Sequence, residues 1–310
     1  MSNYVIGLDI GGTKCACLLG KYHNKELQII DKKRWVTPST PQEAIARFMT
    51  HCDAFIAEHP VKAIGTSCGG PLDAEKGIIL SPPNLPGWDK IKIVQQFATH
   101  YGLPVRLEND ANACALAEHR FGAGQDAQHL IFLTFGTGMG AGLILDGRLY
   151  RGKSGQAGEI GHLRIRDNGP VGFGKAGSFE GSCSGAGIAT LAQKHWEELF
   201  PGKSFDAKNA ARDLAFLAND GHPLAKSLYQ EVGHQLGAGV ALLIDAFNPE
   251  KIIIGSIYER QTALLEPSMM DRLRAECLPQ NLADCKIVPA KLGDAIGDFA
   301  SLTLATELID

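Results

Sequence analysis

Residues Gly7–Gly20 read GLDIGGTKCACLLG, and residues Leu133–Gly147 read LTFGTGMGAGLILDG. Both follow one plan: a strand-like run, a turn of glycine and threonine, and a second strand-like run. In the first, Tyr4 to Ile10 alternates and is rich in β-formers, breaks at Gly11–Gly12, and resumes from Lys14 to Leu19. In the second, Leu130 to Phe135 leads into GTGMG and returns from Ala141 to Leu145. A tight antiparallel turn gathers consecutive backbone N–H groups, and such a nest binds anions, phosphate above all. Either turn alone reads as an ordinary hairpin. The pair, with hydroxyls at Thr13 and Thr137, predicts two lobes that each offer a backbone turn to one shared phosphate ligand.

Helix and strand signals both surround these hairpins. Pro41 to Glu58 carries apolar residues at helical spacing. Lys62 to Ser67 reads as a buried strand followed by the turn CGGPLD, and Ser81 to Trp88, SPPNLPGW, as a loop. Val105 to Glu108 is a short strand and DANACALAEHRFG a helix; Ser227 to Phe247 is a long helix stopped before Pro249. Lys251 to Ile254 reads as a buried strand, and the segment from Asp294 as helical.

The 310 residues suffice for about two domains. A composition 45% hydrophobic and 21% charged can bury a real core. With a net charge of -4 and no block of lysine and arginine, a nucleic-acid footprint is not expected. The 36 glycines cluster in short turns between apolar runs, which suits backbone approaching a ligand better than disorder. None of the eight cysteines forms a C-x-x-C pair, and most lie in apolar runs, where a thiol acts as a small hydrophobe. No secretory signal precedes the first strand, and the longest apolar stretch, GAGVALLIDAF, is too short to span a membrane. The expectation is a soluble, cytoplasmic protein of a reducing compartment.

Two familiar patterns fail on context. Gly147 to Ser154, GRLYRGKS, matches G-x-x-x-x-G-K-[ST], but GQAGEIG follows, with three glycines in seven residues where a P-loop needs a helix. Gly136 to Ala141, GTGMGA, matches G-x-G-x-x-A, but GLILDG continues it as a strand, so a nicotinamide enzyme is a distant alternative.

In LENDANACALAEHR, Asn109 and Asp110 stand at a strand-to-helix junction. Both residue types cap helices well. A carboxylate at a strand end can also take the proton of a substrate hydroxyl as that hydroxyl attacks phosphorus. Phosphoryl transfer asks the protein mainly for positioning, charge neutralisation and such a base.

The segments GLDIGGTK, NLPGW, ENDANACALAE, FGTGMGAGLI, AGEIGH and LIDAFNPEKIIIG follow one another in the order of the ROK family, which the chain resembles over nearly its whole length. The resemblance implies an α/β, two-lobed actin/hexokinase-like (ribonuclease H-like) fold with a cleft, its lobes at 1–118 with the C-terminal helix 297–310, and at 119–296. It implies an ATP-dependent sugar kinase that uses Mg²⁺, and a homodimer. By position Asp110 matches the catalytic base. Asn109, Glu159, His162 and Glu180 match residues that bond the sugar's hydroxyls, and Gly70 and Asn84 line the same pocket. Asp9, Gly11, Gly12, Thr13 and Lys14 match the first phosphate turn, with Asp9 near the Mg²⁺; Gly136, Thr137 and Gly138 match the second, and Gly255 and Ser256 fall where the family meets the nucleotide. Sugars are bound by carboxylates, amides and imidazoles that take several hydroxyls each, which fits these residue types. Repressors of the family carry an N-terminal helix-turn-helix arm; none precedes the first strand here, which favours the kinase branch.

The chain departs from the family in two places. Many members bind a structural Zn²⁺ through the counterpart of His162 and three cysteines. Here Val171, Phe173 and Ser178 replace those cysteines, while Gly174, Gly177 and Glu180 stay in register, and Cys183 is out of register. A structural zinc needs four ligands, so no zinc is expected, and something else, such as packing by Val171 and Phe173, must hold His162. At the nucleotide end, IIIGSIYER puts Ser256 and Ile257 where the family often shows glycines, and LGDAIGDFASL puts Asp298 and Ser301 among small apolar positions. These departures keep a second reading open: a non-catalytic protein that senses a sugar. The sugar itself is open among glucose, N-acetylglucosamine, N-acetylmannosamine, allose, fructose and a β-glucoside.

Overall fold

The computed structural model describes residues 3–310, in two compact units. The first runs to Asp126 and takes back Leu149–Ala157 and Asp294–Asp310; the second holds Ala127–Arg148 and Gly158–Gly293. The short excursion Leu149–Ala157 has no counterpart in the division expected from the resemblance.

In the first unit, strands β1 (Asn3–Ile10), β2 (Lys14–His23) and β3 (Glu26–Val36) form a meander. Helix α1 (Pro41–Glu58), strand β4 (Val61–Cys68), strand β5 (Val105–Asn109) and helix α2 (Asp110–Phe121) follow. The sheet order is β3-β2-β1-β4-β5; β1 and β2 are antiparallel, while β4 runs parallel to β1 and β5 parallel to β4. Both faces of this sheet are covered, so its central strands are apolar at nearly every position. Ile6, Leu8, Ile10, Cys15, Cys17 and Leu19 pack with Phe48 and Phe55 of α1. Val5, Ala16, Leu18 and Ala63 face the other way, onto Leu302 and Ala305 of the C-terminal helix Ile296–Thr306. That helix lies close to the sheet because Gly7 and Gly65 are cross-strand partners beneath it. A side-chain carbon at Gly65 would lie 2.6 Å from the Ala305 nitrogen, and one at Gly7 3.0 Å from the Leu302 nitrogen. Ser301, unexpected in an apolar segment, fits this crossing: it is small, and its hydroxyl donates to the Asp298 carbonyl at 3.1 Å.

In the second unit, strands β6 (Leu130–Phe135) and β7 (Met139–Leu145) form an antiparallel hairpin. Helix α3 (Gly185–Gln193) and helix α4 (Pro223–Phe247) lead to strand β8 (Lys251–Ile254), helix α5 (Ile257–Glu276) and strand β9 (Lys286–Pro289). Across this sheet the order is β7, β6, β8, β9, with β8 parallel to β6 and β9 parallel to β8. This is the order and sense of β2, β1, β4 and β5 in the first sheet. The hairpin similarity read in the sequence is therefore the visible part of a larger repeat. The core joins Ile131, Leu133 and Phe135 to Val232, Leu236 and Val240 of α4 and to Leu265, Met269 and Leu273 of α5. Helix α4 opens earlier than the sequence suggested because Pro223 occupies its first turn, where the missing N–H costs nothing. Among the described residues, no helix is long and apolar enough to cross a membrane.

Candidate active site

The first turn joins β1 to β2. The Gly11 N–H donates to the Lys14 carbonyl at 3.1 Å, closing the turn. Thr37, which follows β3, fixes it from outside: its hydroxyl donates to the Gly11 carbonyl at 2.5 Å and its N–H to the Thr13 carbonyl at 3.1 Å. Gly12, Thr13 and Lys14 are exposed. Gly12 lies against Asn84, so that a side-chain carbon there would stand 2.5 Å from the Asn84 carbonyl oxygen. Asn84 itself is exposed on a loop anchored in the core by Leu85 and Trp88 and closed by Ser81 N–H to Trp88 carbonyl at 2.8 Å.

Asp9 is the penultimate residue of β1, beside this turn. Burial pushes its carboxyl up to about 7, helped by the charges of Asp298 and Asp110 and opposed by Lys32 and Arg34. Asp298 is held by Lys32 at 2.6 Å, and Gly297 stands next to the Asp9 carboxylate. Asp110 opens α2. As a residue it is exposed, yet protein crowds its carboxyl so that burial pushes it above the ordinary carboxylate range, against the lowering effect of the Ala111 N–H. The capping role read for Asn109 is present: its Oδ1 accepts from the N–H of Ala111 at 3.0 Å and of Asn112 at 3.4 Å. Its amide nitrogen is thereby left toward Gly70, 3.4 Å from where a side-chain carbon would stand. The first unit thus gathers Gly70 with Asn109, Gly12 with Asn84, and Asp9 within the field of Asp110.

The second turn, Gly136 to Gly138, is fixed from its carbonyl side. The N–H groups of Gly185 and Ala186, at the start of α3, donate to the carbonyls of Gly136 at 2.7 Å and Thr137 at 3.3 Å. Ser184 caps that helix, accepting from the Gly187 N–H at 2.9 Å. Gly255 ends β8, its N–H on the Leu133 carbonyl at 3.0 Å. Ser256 then takes φ +58° and ψ -107°, a conformation suited to glycine, and its hydroxyl lies against Gly136. The first N–H groups of α3 are thus spent on the turn's own carbonyls and on Ser184, while α5, which has no side-chain cap, begins beside the turn and presents the end favourable to an anion.

Glu159 and His162 lie on a single turn of 3₁₀ helix, Ile160–His162, laid on β7 through Ala141 N–H to the Gly158 carbonyl at 3.0 Å. The His162 Nε2 is 3.8 Å from a Glu159 carboxylate oxygen. Glu180 is placed differently. Its carboxylate accepts from the Met139 N–H at 2.9 Å, so it braces the second turn while also touching Gly161 beside the Glu159–His162 turn.

The segment that replaces the cysteines is a small hairpin, Val171–Gly172 paired with Lys175–Ala176. Phe173 and Gly174 at its tip have φ of +47° and +70°, the signs of a type I′ turn. Phe173 is 69% exposed, and its ring packs on His162 with centroids 4.8 Å apart. The Lys175 ammonium donates to the His162 carbonyl at 2.7 Å. Val171, expected to help hold His162, is instead exposed. Ser178 is buried and caps the next helical turn, accepting from the Gly181 N–H at 3.1 Å. Cys183 is buried, with its thiol on the Val232 carbonyl.

Sequence reading missed Glu108, Arg151, Thr37 and Lys32. Glu108 stood inside the ENDA motif but gave no sign that it would be buried. The other three act through segments distant in the chain, for which no local pattern exists. Among the described residues, no group of three or more His, Cys, Asp or Glu side chains gathers closely enough to hold a metal ion.

Comparison with known proteins gives the family and the fold. The family model described as ROK family matches residues 5–307. A glucokinase of Streptomyces coelicolor is 28% identical over 312 residues, covering 97% of each chain. The structure of a ROK family glucokinase from Streptomyces griseus in complex with glucose and AMPPNP superposes with TM-score 0.80 at 28% identity, covering 98% of this chain and all of that one. A ROK family transcriptional regulator, a homolog of E. coli Mlc, superposes with TM-score 0.84 at 27% identity, covering 97% of this chain and 77% of its own.

Proposed function

The chain belongs to the ROK family, and from that premise we propose that it is an ATP-dependent kinase that phosphorylates a hydroxyl of a hexose or amino-hexose. The observation that carries this reading is Asp110: a carboxyl at a strand-to-helix junction, made more basic by burial, next to an Asn109 whose amide nitrogen is not used in capping. A raised carboxyl is a better proton acceptor near neutral pH. The sugar hydroxyl oxygen attacks the γ-phosphorus of ATP and gives its proton to Asp110, and the bond from that phosphorus to the bridging oxygen breaks, leaving ADP. In the first unit Asn109, Asn84 and the Gly70 backbone are the groups that would orient the sugar. Among the second unit's residues, Glu159 and His162 carry the hydrogen-bonding groups suited to sugar hydroxyls. Glu180 acts at one remove, through the Met139 N–H, by bracing the second turn. In the second unit the turn at Gly136–Gly138, with Gly255 and Ser256 beside it, is the one suited to the nucleotide's phosphates; in the first unit the turn at Gly11–Lys14 is the counterpart suited to phosphate.

Asp9 fits a divalent cation. It is a hard oxygen donor whose charge is opposed by burial and by Asp298 and Asp110, and a cation would relieve that opposition. Mg²⁺ characteristically takes one or two carboxylates and completes its shell with phosphate oxygens and water, so a three-residue cluster is not required. When bound, it would neutralise charge on the transferring phosphoryl group.

The likeness to a transcriptional regulator supports the rival reading, a protein that binds sugar without turnover. Steady-state kinetics of Asp110→Asn separate the two. The expected result is sugar-dependent ADP release that falls on the order of a hundredfold or more in the variant, with sugar still bound. Equal rates in variant and wild type would remove Asp110 from this role.

A further inference from the structure

Glu108 is the penultimate residue of β5, immediately before Asn109 and Asp110, and its side chain is 2% exposed. A buried carboxylate is costly unless its lone pairs are filled. Here each oxygen takes two donors. Oε1 accepts from the Asn109 backbone N–H at 3.1 Å and from the Asn112 amide nitrogen at 3.1 Å. Oε2 accepts from Arg151 Nε at 2.8 Å and Nη2 at 2.7 Å. Arg151 belongs to Leu149–Ala157, the excursion that returns to this unit, so the excursion reaches the segment that carries Asp110. Arg106 does not duplicate it: its nearest nitrogen is 3.8 Å from Oε2, and it pairs with Glu307.

We propose that the Glu108–Arg151 pair is a positioning device for the Asn109–Asp110 junction. Arg151 fixes the rotation of the Glu108 carboxylate. The other oxygen of that carboxylate then ties the Asn109 N–H to the Asn112 side chain one helical turn on. Backbone and side chain are thereby locked on either side of Asp110, and both Asn109 and Asp110 leave the junction in fixed directions. Neither Glu108 nor Arg151 is a catalytic residue: Glu108 has its acceptor sites filled by protein donors, and Arg151 acts only through Glu108. The inference rests on the role proposed for Asp110. Its strength lies in how steeply phosphoryl transfer depends on placement, where an error of about 1 Å costs roughly a hundredfold.

Three variants of the full chain test it: Arg151→Met, which keeps bulk and removes the donors; Arg151→Lys, which keeps one; and Glu108→Gln combined with Arg151→Met. Amide hydrogen exchange is read first, without ligands. Arg151→Met is expected to speed exchange of the 109–112 amides roughly tenfold, with β6 and β7 unchanged and Arg151→Lys intermediate. In kinetics, kcat falls roughly tenfold while the KM for MgATP stays within about twofold. Adding Glu108→Gln to Arg151→Met brings no further loss, because the two residues act as one unit. Unchanged exchange at 109–112 overturns the proposal. So does a rise in exchange throughout the chain together with weaker ATP binding, which marks a folding defect. Wild-type protein that releases no ADP with any sugar defeats the kinase reading alone, and the exchange result still decides whether the pair orders the junction.

Discussion

The turns at Gly11–Lys14 and Gly136–Gly138 share a backbone plan and sit in sheets of the same strand order, yet their surroundings differ in charge. The first lies among carboxylates: Asp9 beside it, with Asp298 and Asp110 close enough to raise its pKa. The second has the carboxylate of Glu180, which is bonded to the Met139 N–H, and helix α5 starts at it. One plan has thus been given two chemistries by neighbours supplied from elsewhere in the chain. A carboxylate-rich turn suits a metal and a proton-accepting centre. A turn at the uncapped N-terminus of a helix, here α5, suits phosphate.

The comparison sharpens at the middle glycines. A methyl group at Gly12 would meet the backbone of Asn84, on a loop that Leu85 and Trp88 hold in the core. That loop cannot move cheaply. Gly12→Ala is expected to raise the sugar KM about tenfold and to destabilise the protein by about 2 kcal/mol, as overpacking does. Calorimetric sugar titration and a denaturant melt check both. At Gly138 the methyl would meet only the end of the Glu180 side chain, 2.6 Å away. The carboxylate can swing aside at the cost of its bond to Met139. Gly138→Ala is therefore expected to change kcat/KM by only about fivefold, the worth of about one hydrogen bond. Equal damage at the two glycines would break the comparison.

Asp9 gives the pH signature of the acidic turn. Its carboxyl is raised from 3.8 to about 7 in the folded protein. Between those values the folded state holds a proton that the unfolded chain has lost, so this group's contribution to stability falls as pH rises through that window. Asp9→Asn is expected to remove that decline: the variant gains on the wild type in melting temperature from pH 4 to pH 7, and saturating Mg²⁺ narrows the gap. A difference that stays flat with pH would contradict the burial of Asp9 beside Asp298 and Asp110.

The smallest effect is expected at the second turn. Ser256 occupies a backbone conformation with φ +58° that a side chain rarely adopts. Such a residue costs of order 1 kcal/mol, and Ser256→Gly is expected to raise the melting temperature by about 2 °C. A lowered melting temperature would mean that the hydroxyl beside Gly136 contributes more than the backbone loses.

Much of this was legible in the sequence where the signal was local. The two hairpins, α1 and the strand-to-helix step at Asn109–Asp110 follow from alternation, apolar spacing and turn chemistry, and the structure has each of them. Helix α5 was not legible: Pro267 lies inside it, Gln261 leaves helical geometry, and its buried face rests on few residues, Tyr258, Leu265, Met269 and Leu273. The site divides in the same way. The pairing of Glu159 with His162 is an i, i+3 relation and can be read from spacing. The attachment of Glu180 to Met139, of Asp298 to Lys32 and of Arg151 to Glu108 depends on how distant segments fold back. The hairpin at Phe173 shows a third case. Loss of the cysteines was visible, and packing on His162 by Val171 and Phe173 was expected from it; the Phe173 ring does pack there, on a left-handed turn that Gly174 completes, whereas Val171 is exposed because the hairpin turns it outward.

The measurement that bears most directly on the whole account is ADP release from MgATP across a panel of hexoses and amino-hexoses, with ³¹P detection of the product. The account predicts that at least one sugar stimulates ADP release and accumulates as its phosphate in equal amount. Sugar and AMPPNP that both bind, with no ADP and no sugar phosphate formed from any member of the panel, would contradict it.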